Sequence, residues 1–179
     1  MSKIKGLIYA RRNFVNVNCR KKLFFALIYP CLLYGIEIYS LTCKYIIEPL
    51  IIACNRSLRI CQNVNLYYHT KQLYNNYNIL PVDLLGKLRI SKCIYKILRM
   101  KDSVSKSTSS LFSLNNANHN YSTRTSNSYY LYKEANKSFY NSYVNKCCSI
   151  WNDIPLNIRN TNSLNIFLFK LSIHLYDKL

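Results

Sequence analysis

Apolar side chains recur along this chain at helical spacing, most clearly at its C-terminal end. There Leu164, Phe167, Leu168, Leu171 and Leu175 fall at i, i+3, i+4, i+7 and i+11, a core stripe, with Ser163 placed to cap the helix. Upstream, Trp151 stands beside Ile150 and Ile154 as a core anchor, expected to pack on that helix next to Phe167 and Leu171. Pro155 lacks an N–H and pushes Ile154 out of helical geometry, so a helix ending near Trp151 stops there. That helical region is predicted over 129–150, where Phe139, Tyr143, Cys147 and Ile150 lie at i, i+4, i+8 and i+11.

Three more helices are predicted over 3–14, 20–39 and 49–62. The second follows Asn18 and opens on Arg20, Lys21 and Lys22, positive charge that opposes the helix dipole. A facing phosphate backbone would offset that cost, and a plain solvated end accounts for it as well. Pro30 is expected to bend or divide this helix. The third is expected to begin near Pro49, a favoured first-turn residue, and to bury Leu50, Ile51, Cys54, Leu58 and Cys61, leaving Arg56 and Arg59 outside the stripe. Residues 63–80 are rich in Asn and Tyr and irregular, with a short helix over 70–77. Asp83 can cap a helix over 84–100. At about 100° per residue, Ile90, Cys93, Ile94, Ile97 and Leu98 share one arc, and Arg89, Lys92, Lys96 and Arg99 a narrower opposite one. From 101 to 120 the chain turns to Ser, Asn, Thr and Lys around an apolar island at Leu111–Phe112, a linker composition. The fold class expected is all-α: a helical bundle over 1–62, a connecting helical segment over 63–100, a flexible linker over 101–128 and a helical region over 129–179.

Charge sharpens the picture. The chain has 179 residues, half of them hydrophobic, with 25 Lys+Arg against 7 Asp+Glu, a formal net charge of +18. Such a field favours polyanions, nucleic acid first and acidic membrane second. Asn, Tyr, Ile and Lys all have A/T-rich codons, so base composition can inflate lysine; the arginines are less easily explained that way. Four cations without an acid on one helix face make 89–99 the local candidate for tracking phosphates, against the alternative of an ordinary solvated face.

The eight cysteines, at 19, 31, 43, 54, 61, 93, 147 and 148, show no C-x-x-C and no His at zinc spacing, so reduced thiols in an intracellular protein, nuclear or cytoplasmic, are expected and no metal. The vicinal pair Cys147–Cys148 is read as incidental. The apolar run 23–36 is fourteen residues long and interrupted by Pro30 and Gly35, short of the roughly twenty a membrane span needs. No phosphate-cradling glycine loop is present, since glycine occurs three times in all.

The tail order Trp151-Asn152-Asp153-Ile154-Pro155, then Arg159, Ser163 and Phe167, resembles the C-terminal end of non-LTR (LINE-type, jockey-like) retrotransposon reverse transcriptases, where an aromatic-Asn-x-Leu/Ile-Pro turn precedes a closing helix. Four further blocks are similar to that family in the same order. Tyr29-Pro30-Cys31-Leu32-Leu33-Tyr34-Gly35-Ile36-Glu37 looks like its thumb-helix block, with Tyr39 where Trp is common. Asn55-Arg56-Ser57-Leu58-Arg59-Ile60 looks like its Gln/Asn-Lys/Arg-x-hydrophobic-Arg-Ile helix. His69-Thr70, Leu73-Tyr74 and Ile79-Leu80-Pro81 match its His-Thr block, and His119-Asn120-Tyr121-Ser122-Thr123-Arg124 its His-x-Tyr-x-Thr-Arg element. Each block is weak alone; five in order, covering nearly the whole chain, are fairly specific.

The resemblance implies a thumb-like bundle and C-terminal region that contact RNA or DNA, acting beside a polymerase palm this chain lacks. The family's palm carries a Tyr/Phe-x-Asp-Asp strand for two magnesium ions. Here the seven acids (Glu37, Glu48, Asp83, Asp102, Glu134, Asp153, Asp177) are dispersed, so no catalytic residue, cofactor or enzymatic activity is expected of the chain on its own. The residues expected to meet phosphate are Arg11, Arg12, Arg20, Lys21, Lys22, Arg56, Arg59, Arg89, Lys92, Lys96, Arg99 and Arg124. Those expected to hold the motifs in shape are Tyr34, Gly35, Trp151, Asn152, Pro155, Ser163 and Phe167. A nucleic-acid-binding fragment is the leading expectation, without a membrane partner. A basic interaction or membrane-surface protein and a non-functional element remnant are the alternatives.

Overall fold

The computed structural model describes residues 6, 9–10, 13–99, 112–115, 128–129, 131 and 143–178. Helices dominate them, and the chain is all-α. Among the described residues there is no strand, only an isolated antiparallel bridge between Leu114 and Tyr129. Tyr129 is therefore extended rather than helical, a correction to the helix expected from 129. Most of the helix expected over 3–14 and of the linker at 101–128 falls outside the described residues; residues 6, 9 and 10 are helical, and 13–14 form a turn. The chain forms two compact units, 1–86 and 87–178.

In the first unit the apolar run is broken into short pieces: α1 (Val17–Leu23), a π turn (Phe24–Ile28), α2 (Tyr29–Leu33) and α3 (Ile36–Tyr39). Pro30 has no N–H to return to the preceding turn. The helix widens just before it, and Tyr29 donates to the Phe24 carbonyl, an i→i−5 bond. The extra residue keeps Phe24, Ile28, Leu32 and Ile36 buried on one side although each is four residues from the last. Gly35, at φ 66°, makes the left-handed turn between α2 and α3. The Tyr39 hydroxyl closes that turn by donating to the Leu32 carbonyl.

The next helix, α4, spans Lys44–Gln62 with Pro49 inside it. It begins five residues earlier than the proline suggested, because Ile47 extends the buried stripe of Cys54, Leu58 and Cys61 back by two turns. The proline's missing donor forfeits one bond near the helix start, which that burial offsets. After α4 come α5 (Thr70–Tyr77), where the sequence predicts a short helix, and α6 (Val82–Arg99).

Both α4 and α5 end on an asparagine in left-handed conformation, Asn63 (φ 55°) and Asn78 (φ 54°). Each is followed by paired closing bonds: Val64 N–H to Arg59 O with Asn63 N–H to Ile60 O, and Ile79 N–H to Tyr74 O with Asn78 N–H to Asn75 O. These are Schellman caps with asparagine in glycine's usual place. Polar bonds then join α5 to α4: Gln62 Nε2 donates to the Leu73 carbonyl at 2.7 Å and the Tyr74 hydroxyl to Asn55 Oδ1 at 2.6 Å. Phe24 and Phe25 meet Tyr77 at ring-centroid distances of 5.5 and 6.1 Å.

The second unit contains most of α6 together with α7 (Tyr143–Asn152), α8 (Leu156–Arg159) and α9 (Leu164–Tyr176). Its core is built on Ile90, Ile94, Tyr95, Cys147, Cys148, Trp151, Ile154, Ile158, Phe167, Leu171 and Leu175. Phe167 is the hub, with Tyr95 stacked on it at 4.6 Å and Trp151 tilted against it at 5.6 Å. Trp151 thus packs against the closing helix through Phe167, as its sequence context predicts.

Candidate functional site

The basic residues of the first unit fall in different settings. Asn16 caps α1, accepting from the Asn18 N–H at 3.3 Å, so the helix starts before the Arg20-Lys21-Lys22 run. Lys22 is exposed and Lys21 half-buried, its Nζ 5.3 Å from the centre of the Tyr77 ring. Arg20 is only 6% exposed and lies close enough to Cys61 and Tyr77 to affect both electrostatically. It stands beneath the helix surface, away from the solvent-facing set its neighbours belong to. On α4, Arg56 is exposed and Arg59 half-buried, the latter donating from Nη2 to the Tyr68 carbonyl at 3.2 Å. Both line a cavity of about 420 Å³ beside Asn63 and Leu66 at the helix's C-terminal end, where the dipole favours cations. Arg11, Arg12 and Arg124 lie outside the described residues. Tyr34 is 87% exposed beside Gly35.

In the second unit, α6 buries Ile90, Ser91, Ile94 and Tyr95. Tyr95 takes the place the periodicity gave to Cys93, which is exposed, while Ile97 is half-buried. Two polar contacts explain that shift. The Tyr95 hydroxyl donates to the Thr161 carbonyl at 2.7 Å, and Ser91 Oγ bonds back to the Lys87 carbonyl at 2.7 Å, so both polar groups are satisfied inside. Arg89, Lys92, Lys96 and Arg99 nevertheless share the arc away from that core. Lys96 and Arg99 are exposed, Arg89 and Lys92 half-buried.

The tail turn is pinned by side chain and backbone together. Asn152, at the end of α7, holds the Tyr129 peptide, and Pro155 forms the N-cap of α8. Ser163 stands at the N-cap of α9 without a side-chain capping bond. Arg159, the last residue of α8, is half-buried, and its buried Nε has no hydrogen-bond partner among the described residues. Together with Arg99, Tyr129, Trp151 and Asn160 it lines a cavity of about 450 Å³. Arg159 was visible in the tail motif but not as a cation at a cavity. Only the fold brings it near Arg99 and Tyr129, distant in sequence.

Burial pushes the thiols of Cys54, Cys61, Cys147 and Cys148 up to about 11, which keeps them protonated and poorly nucleophilic. Among the described residues no group of three His, Cys, Asp or Glu side chains is arranged to hold a metal ion. No helix among them is long and apolar enough to cross a membrane. The described surface carries exposed or half-buried arginine and lysine, suited to binding anions. Comparison with protein-family models, with curated proteins and with solved structures returns no match to this chain.

Proposed function

We propose that this chain binds nucleic acid through its phosphates, without sequence specificity, as the thumb-like and C-terminal part of a LINE-type RNA-directed DNA polymerase whose palm lies elsewhere. The observation that carries the binding is the side of α6 holding Arg89, Lys92, Lys96 and Arg99 with no acid among them, opposite a packed core. Helical rise spaces such a row to follow a charged backbone, and phosphate contacts hold register without reading bases. Support for the family comes from the five ordered sequence blocks and from the work their residues do. Gly35 makes a left-handed turn, Asn152 ties the Tyr129 peptide, Pro155 opens α8 and Phe167 centres the core.

Binding of labelled RNA and DNA across a salt series tests the proposal. Each neutralised phosphate contributes about −0.9 to the log–log slope on duplex DNA and about −0.7 on single strands. Replacing Lys92, Lys96 and Arg99 together by Gln is expected to flatten the slope by roughly two to three units, whatever the sequence. An unchanged slope in a folded triple variant would reduce the face to an ordinary solvated one. The exposed Tyr34, Ile38 and Tyr45 side chains favour the rival reading, a membrane-surface or interaction protein. Partition into anionic vesicles in preference to oligonucleotides would establish it.

A further inference from the structure

The cavity that Arg99 and Arg159 share differs from the open cationic arc of α6. It is walled by Tyr129, Trp151 and apolar side chains, and about 450 Å³ is room for a small organic ligand rather than a bare ion. Arg99, Arg159 and Asn160 line it, and among the described residues no acid does. The described acids of this unit, Asp153 and Asp177, are both exposed on the surface. Arg159 is held partly out of water, with burial depressing its pKa and with an Nε donor that no group among the described residues accepts from. A desolvated cation with an unused donor is costly unless an anion completes it. Both guanidiniums also act on the Tyr129 hydroxyl, which places the three groups close together. Arg99 belongs to the cationic arc as well, so a strand following that arc reaches the cavity mouth.

Building on the proposed nucleic-acid binding, we infer that this cavity takes one splayed-out nucleotide of a single strand, its phosphate held by Arg99 and Arg159 and its sugar and base against Tyr129. A forked guanidinium suits a phosphate's paired oxygens, and a phenol ring offers a face to any base. A duplex can present its backbone to the α6 arc, but it must unpair and unstack to fill the cavity, so single strands are preferred.

Trp151 provides the readout, because it lines the cavity and is the only tryptophan. The whole chain is titrated with a dye-labelled single-stranded oligonucleotide and with the duplex of the same sequence. Anisotropy of the dye reports all binding, and Trp151 emission reports occupancy of the cavity. The expected result is an emission change with the single strand at the concentrations where anisotropy rises, and little with the duplex. Arg159→Gln is expected to abolish the emission change, weaken single-strand binding by about tenfold and flatten its salt slope by about 0.7, the loss of one phosphate. Arg99→Gln, at an exposed position, is expected to do the same, and covers the case in which Arg159→Gln does not fold. Single strands that bind with Trp151 emission unmoved would overturn the cavity's role and leave the phosphate-binding proposal standing. Equal emission changes from the duplex, or from inorganic pyrophosphate at the same concentration, would overturn the nucleotide. No anisotropy change at low salt would sink both inferences.

Discussion

Asn152 and the peptide of Tyr129 exchange two hydrogen bonds: the Tyr129 N–H donates to Asn152 Oδ1 at 2.9 Å, and Asn152 Nδ2 donates to the Tyr129 carbonyl at 3.0 Å. A side-chain amide here does what a neighbouring strand would do, satisfying both backbone groups of an extended residue 23 positions away. Only the asparagine or glutamine amide carries donor and acceptor side by side on one carbon, and glutamine's extra methylene moves the pair out of reach. Asn152→Ala leaves two half-buried backbone groups unmet and is expected to destabilise the second unit by about 1–3 kcal/mol. Asn152→Asp retains the acceptor but loses the donor, and should fall between the two in denaturant midpoint. An alanine variant with wild-type stability would show that water replaces the amide without loss.

Trp151 is 5% exposed and meets Phe167, itself stacked on Tyr95. Trp151→Ala is expected to cost about 3–5 kcal/mol, enough to abolish or nearly abolish a marginal fold. Thermal unfolding by circular dichroism measures it. An unchanged midpoint would refute the anchor role.

Gly86 lies within α6, where a glycine normally weakens a helix. A Cβ at this position would sit 2.4 Å from the Cβ of Ser40. Alanine's better helix propensity is worth about 1 kcal/mol, whereas forcing an extra carbon into a packed site costs about 1–3 kcal/mol. Gly86→Ala is therefore expected to destabilise, and Ser40→Gly in the same chain to recover most of the loss. A stabilised single variant would show that the two segments separate at little cost.

Alkali should weaken the fold in a defined window. The thiols of Cys54, Cys61, Cys147 and Cys148 are raised by burial from 9.0 to about 11. Because the folded pKa lies above the unfolded one, their contribution is fully present below pH 9 and is lost as pH rises from there through 11. Burial also raises the Tyr77 hydroxyl to about 12, which extends the loss upward. Urea midpoints measured under reducing conditions should be level up to about pH 9 and then decline. A level midpoint across the whole window would mean that the thiols are already solvated in the folded state.

Much of the helical layout was legible in the sequence, because the apolar stripes do not depend on distant partners. Phe167, Leu171 and Leu175 are buried as their spacing predicts, and α5 occupies 70–77. What local pattern misassigned was decided by contacts it does not register. Tyr95 displaced Cys93 from the α6 core because the carbonyl of Thr161, 66 residues on, accepts a hydrogen bond from its hydroxyl. Pro49 suggested a helix start that the burial of Ile47 overrode. The cations of α6 were readable as a face because they share one helix. The cavity at Arg99 and Arg159 was not, since its walls come from segments joined only by folding.

The π turn at Phe24–Ile28 gives this segment an unequal tolerance to changes of length. It has the form of a one-residue insertion absorbed locally, so the flanking helices keep their facing. Deleting a residue inside it is expected to leave a regular helix with Leu32 and Ile36 still turned inward. The same deletion in the middle of α4 would rotate everything beyond it by about 100° and carry Leu58 and Cys61 away from the core. In a lineage that gains and loses codons, the five residues before Tyr29 are thus where the reading of the core can change length without being rewritten.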